Sequence, residues 1–122
     1  MKWTVVMVAF AFALALSGCG GGSMHARPVP GGNAADGKQL IAQYGCGGCH
    51  EIGGVKRADG RVGPTLEDFR DKQVLVTGRQ NRPPNVERWI MHPQQILPGS
   101  LMPDLGVNDD QARDIVAYLY TQ

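Results

Sequence analysis

The strongest chemical signal in the chain is Cys46-Gly47-Gly48-Cys49-His50, two thiols and an imidazole within five positions. The spacing C-x-x-C-H marks c-type haem attachment. Two thiols one helical turn apart can add to the two vinyl groups of one porphyrin. The next residue then places an imidazole under the iron. Gly47 and Gly48 keep the space between the thiols clear of side chains. Three rival chemistries use the same letters. A thioredoxin-like redox pair expects a βαβ context, which the sequence lacks. A zinc site needs about four ligands, and only Cys46, Cys49 and His50 are clustered. A simple disulfide needs no histidine.

A second iron ligand should lie well downstream, and Met91, His92 and Met102 are the candidates. Met102 is the expected one. It sits in Pro98-Gly99-Ser100-Leu101-Met102-Pro103, an extended loop that can lay a thioether against a haem face. Met91 and His92 fall at a helix end. If Trp89 faces the haem pocket, Met91 is two residues on, about 200° around the helix, and faces away. Ligation by His92 would give a bis-histidine haem instead.

These residues must be carried by a small domain. Gly37, Leu40, Ile41 and Tyr44 recur at helical spacing, which predicts a first helix over about Ala35 to Tyr44. Pro64-Thr65 predicts a second, with Leu66 and Phe69 on one face and Glu67 and Asp68 in its first turn. Asn85 is the expected N-cap of a third, which ends at His92 because Pro93 cannot continue it. The last helix is the clearest. Asn108 caps it, Asp109 and Asp110 fill the first turn, and Gln111 occupies the capping-box position. Ala112, Ile115, Val116 and Leu119 then repeat at i, i+3, i+4 and i+7. Gln73 to Val76 looks like strand but is too short to count. The domain is therefore expected to be all-α with long Gly/Pro connections. It is thin enough for a large apolar group to complete the core.

Composition and the N-terminus bound the rest. The 122 residues carry 12 Lys+Arg against 11 Asp+Glu, a net charge of +1, which argues against a nucleic-acid binder. Gly at 17 and Pro at 8 predict much irregular backbone. Lys2 followed by the uncharged run from Trp3 to Leu16 reads as an export signal, short of the roughly 20 residues that span a bilayer as a helix. Leu16-Ser17-Gly18-Cys19 resembles the lipobox of bacterial lipoproteins, which implies lipidation of Cys19 and anchoring by acyl chains. Residues 1–18 are thus expected to be a lipoprotein signal peptide, and 19–33 a lipidated cysteine and flexible Gly/Pro linker. The domain then covers 34–122. Met24 and His25 in the linker are expected to be solvated.

The domain resembles a class I cytochrome c over Ala34 to Gln122. Gly37-Lys38-Gln39-Leu40 ahead of the Cys-Cys-His motif matches the family's N-terminal helix. Val62-Gly63-Pro64-Thr65-Leu66 matches the segment whose proline carbonyl receives the ligand imidazole's N–H, so the resemblance implies that Pro64 orients His50. The Met102 loop and the helix from Ala112 to Leu119 match as well. The resemblance also implies that Gly37 and Tyr118 meet where the first and last helices cross. The region from Gly78 to Pro103 is similar to the cytochrome c module of haem-copper oxidase subunit II, without that subunit's copper-binding part. Leu101 departs from the family, where many relatives carry Lys just before the methionine. Two glycines between the cysteines are also less usual.

These resemblances imply a mono-haem electron carrier rather than an enzyme. His50 and Met102 would be axial ligands of one covalent haem c, with Trp89 in its pocket. No small-molecule substrate would bind. Redox proteins such as a terminal oxidase would be the partners, met on the periplasmic side of a bacterial membrane. The alternative is a haem whose Met102 dissociates to admit peroxide or a gas. Residues 55–90 are net basic and 101–122 net acidic, a dipole that would steer a partner. Arg79, Arg82 and Arg88 are equal candidates to pair with the haem propionates.

Overall fold

The computed structural model describes residues 27–122. The expected signal segment, Cys19, Met24 and His25 lie outside the described residues. Four α-helices follow in order: α1 (Ala34–Gln43), α2 (Pro83–Met91), α3 (Pro93–Ile96) and α4 (Asp109–Leu119). Two single 3-10 turns, Cys46–Gly48 and Phe69–Asp71, lie between α1 and α2. Among the described residues there is no strand, only the isolated bridges Glu51–Asp59 and Val74–Gln80. The fold is all-α, as expected.

The principal packing is α1 against α4. Asn33 caps α1 by accepting from the N–H groups of Ala35 and Asp36. Asn108 and Gln111 form the expected capping box on α4. Ala112, Ile115, Val116 and Leu119 bury the face predicted for them, together with Ile41 from α1 and Val86 and Ile90 from α2. At the crossing, Gly37 lies against the backbone of Asp114 and Ile115 in α4. The Tyr118 hydroxyl, one turn further along, donates to the carbonyl of Gly53 at 2.6 Å, tying α4 to the loop beneath the cysteine turn.

Two expected helices are placed differently. Residues 64–68 are not helical, and the turn begins only at Phe69 after Asp68, which has φ 52°. The backbone groups that a helix would need there are engaged elsewhere. The Leu66 N–H donates to Glu51 O at 2.8 Å, and the Pro64 carbonyl faces His50. α2 starts two residues before Asn85, with Pro83 at its first position and Arg82 preceding it. Proline suits that position because it lacks the N–H that would be unpaired there. Asn85 is no cap: its side-chain amide donates to Gln80 O. Pro93 does end α2, and it then opens α3 in the same way.

The end of the predicted linker is part of the domain. Val29 is buried, the Arg27 N–H donates to Tyr120 O, and the Asn33 N–H donates to Asp114 Oδ1 at 2.8 Å. Gly31 and Gly32 pass close against Arg113 and Ala117 of α4. Gly32 serves this close approach, and Gly31, at φ 76°, serves the turn that precedes it.

Tyr120 anchors the long loop between Phe69 and Asn81. Its hydroxyl donates to Asn81 Oδ1 at 3.0 Å, and the Asn81 amide donates to the carbonyls of Phe69 and Lys72. Burial pushes the Tyr120 phenol up to about 12, so it stays neutral and able to donate through the physiological range.

Candidate functional site

The cysteine turn is held from three sides. α1 ends at Gln43, and Gly45 follows with φ 70°, which reverses the chain into Cys46. The N–H groups of Cys49 and His50 both donate to Cys46 O, so the two thiols lie about one turn apart. The loop 51–60 supports the turn from beneath, with Gly60 N–H donating to Gly47 O at 3.0 Å. The glycines within the motif have different roles from those expected. A Cβ on Gly47 would lie 2.6 Å from Ala58, so that glycine is required by packing. Gly48 faces open space, and nothing local demands a glycine there.

His50 is oriented by a single hydrogen bond. Its Nδ1 lies 2.8 Å from the Pro64 carbonyl. A carbonyl only accepts, so Nδ1 carries the proton and Nε2 keeps its lone pair free for a metal. Gly63 permits this approach: a Cβ there would sit 2.7 Å from His50 Nδ1. The motif Val62-Gly63-Pro64-Thr65-Leu66 alone shows no steric reason for this glycine. Its neighbour, the ring of the preceding turn, supplies the reason.

Beside this turn opens a cleft of about 360 Å³. Cys46, Cys49 and His50 form one wall, with Val62 to Leu66 next to them. Val86, Trp89 and Ile90 come from α2, and Ser100 to Pro103 from the loop after α3. The remaining wall is Phe69, Lys72 and Val74 to Val76. A smaller recess of about 50 Å³ shares Cys46, His50, Met102 and Leu119 with the cleft and deepens it toward Val107 and Ile115. The run Gln73 to Val76, discounted as a strand, therefore serves as a wall. Its extended backbone makes one isolated bridge, Val74 to Gln80, and presents Val74, Leu75 and Val76 to the cleft.

The three candidate second ligands separate cleanly. Met102 lines the cleft, half-buried, with its N–H held by Ser100 Oγ at 3.1 Å. Met91 packs against the core and His92 is exposed; neither is among the lining residues. Trp89 lines the cleft as expected. Pro98 and Gly99 turn the chain into the Met102 loop, with Gly99 at φ 84° and Ser100 N–H donating to Leu97 O. Lys72 is the cation of the lining; Arg79, Arg82 and Arg88 are not part of it.

The wall residues suit a flat macrocycle with two reactive edge carbons: aliphatic and aromatic side chains, two unpaired thiols and one imidazole with a free Nε2. Burial pushes the Cys46 thiol up, as an apolar wall would.

Comparison with known families agrees with this geometry. The Cytochrome c family model matches residues 34–122. The chain belongs to the cytochrome c family. Its cofactor is haem c, and the turn at Cys46 and Cys49 is of the attachment type. The domain is a haem electron-transfer protein. It is 34% identical over 89 residues to cytochrome c oxidase subunit 2 of Alkalihalophilus pseudofirmus, which covers 70% of this chain and 25% of that one. A second cytochrome c oxidase subunit 2, from Bacillus sp. strain PS3, is 27% identical over 78 residues, covering 62% and 22%. The chain therefore spans about a quarter of the length of the curated relatives it matches.

Proposed function

We propose that the domain is a mono-haem carrier of single electrons whose iron is held by His50 and Met102. The observation that carries this reading is the cleft, which brings Cys46, Cys49, His50 and Met102 to one space. Haem bound there supplies a ferric–ferrous couple. The chain's own residues do the rest. The Pro64 carbonyl raises the basicity of the His50 imidazole through the Nδ1 proton. The Met102 thioether, a soft ligand, favours the reduced state and raises the potential. Trp89, Val86 and Ile90 exclude water from one side. With His50 and Met102 both held by the iron, no position would be left there for a substrate. The residues lining the cleft include no carboxylate, so no Asp or Glu is placed there as a general acid or base. This favours a carrier over a peroxidase or gas binder.

The rim of the cleft points to how a partner docks. Leu101 is 83% exposed and Val62 65% exposed, both beside the cleft mouth. Charge would guide approach, and these apolar side chains would make the contact itself. The relatives named above make a respiratory oxidase the proposed electron acceptor. The lipobox-like Cys19 makes a lipid anchor on the periplasmic face of a bacterial membrane the proposed location. Cys19→Ser should release the haem protein from membranes; retention would count against lipidation.

The ligand reading has an optical test. Ferric protein with methionine sulfur on iron shows a weak red charge-transfer band. Wild type should show it and Met102→Ala should lose it. A band that survives in Met102→Ala would reject Met102 as the ligand.

A further inference from the structure

We propose that Gln94 is a positioning residue for the axial methionine: its amide clamps the Met102 loop and so sets how readily Met102 leaves the iron. The proposal rests on the ligation by Met102 proposed above and adds to it the group that holds the ligand in place.

The geometry is specific. Gln94 Nε2 donates to the Ser100 carbonyl at 2.6 Å and to the Met102 carbonyl at 2.9 Å. Both hydrogens of one side-chain amide are thus used, on carbonyls that bracket Leu101. The donor sits on α3, which is itself fixed: Pro93 is buried at its first position, and the N–H groups of Gln95 and Ile96 both donate to His92 O. The other hydrogen bonds recorded for residues 101–106 are local. Met102 N–H goes to Ser100 Oγ, and Gly106 N–H to Asp104 Oδ1. Gln94 is therefore the hydrogen-bonded tie between the ligand loop and the helical frame. Its side chain is otherwise exposed and contributes nothing to the core.

Glutamine fits this task for chemical reasons. Glutamate of the same length has no donor while ionised and would set its charge against two carbonyl oxygens. Methionine has the same reach and no donor at all. Losing two exposed hydrogen bonds should leave the loop folded but easier to displace. Imidazole competing for a ferric iron held by His50 and Met102 would exchange its nitrogen for the Met102 thioether, with no electron transferred. The clamp opposes release of the thioether only.

The test is an imidazole titration of the ferric, haem-loaded protein, followed at the red band, with thermal unfolding as a control. Gln94→Met should bind imidazole about tenfold more tightly than wild type, because two net hydrogen bonds correspond to roughly a tenfold shift in the released population. Gln94→Glu should shift further in the same direction. Gln95→Met, on the exposed neighbour, should match wild type. The unfolding temperature of Gln94→Met should fall by only several degrees, the same loss read against the unfolded chain; a role confined to stability would lower it and leave the imidazole affinity unchanged. Equal affinity in wild type and Gln94→Met would overturn the proposal. A wild-type protein without the red band would be a different result: it would remove the ligand reading, and the clamp with it.

Discussion

Gly37→Val is expected to leave no folded haem domain. A Cβ at this position would drive into the Asp114 carbonyl and lie 3.0 Å from the Ile115 nitrogen. Both obstacles are backbone of α4, so no side chain can rotate away. The helices must separate along the domain's principal packing, opening the layer of Ile41, Ile115 and Val116. Overpacking alone costs about 1–3 kcal/mol, and backbone separation in a small domain adds to it. Total stability for a domain this size is on the order of 5–10 kcal/mol. The helical circular dichroism and the haem absorbance of the variant would both be lost. The matched control is Gly48→Ala. Its Cβ meets nothing within 4 Å, so stability should change by less than about 1 kcal/mol.

Replacing both Cys46 and Cys49 with serine should also destabilise the domain, by another route. The thioethers cannot form, so haem becomes extractable into acid acetone, whereas wild type keeps it. Any haem that remains is held only by its axial ligands and by apolar contact. Without it the cleft of about 360 Å³ stands open in a thin core. At roughly 24 cal/mol per Å³, a rigid void of that size would cost about 9 kcal/mol. That is an upper bound, because the cleft can collapse and admits water. The realised loss is smaller than that bound, and the double variant should unfold at a markedly lower temperature than wild type. Non-extractable haem in that variant would place the attachment elsewhere.

The legible parts of this chain are those where a local pattern decides local structure. α4 was readable because its cap, first turn and apolar stripe all agree. The haem-attachment turn was readable because its spacing is chemical. Proline and the demands of distant backbone erased the rest. Residues 64–68 carry helix-start signals, yet their carbonyl and N–H groups serve His50 and Glu51 across the cleft. Asn85 has the composition of a cap, but two prolines ahead of it start the helix earlier. The linker glycines at 31 and 32 read as flexible and instead let a strap lie flat on α4. At the site, the choice of Met102 over Met91 and His92 rested on its proline-flanked loop, and the structure brings Met102 alone of the three to the cleft. The steric role of Gly63 and the place of Lys72 in the lining depend on which segments meet in space, which no single sequence displays.

The claim beneath all of this is that one porphyrin is joined to the polypeptide at the cysteine turn. Tryptic cleavage at Lys38 and Lys56 isolates that turn, free of any uncertainty about the N-terminus. Mass spectrometry of the peptide Gln39 to Lys56 should find it heavier by one haem, with neither thiol open to alkylation. An unmodified peptide with two alkylatable cysteines would contradict the account.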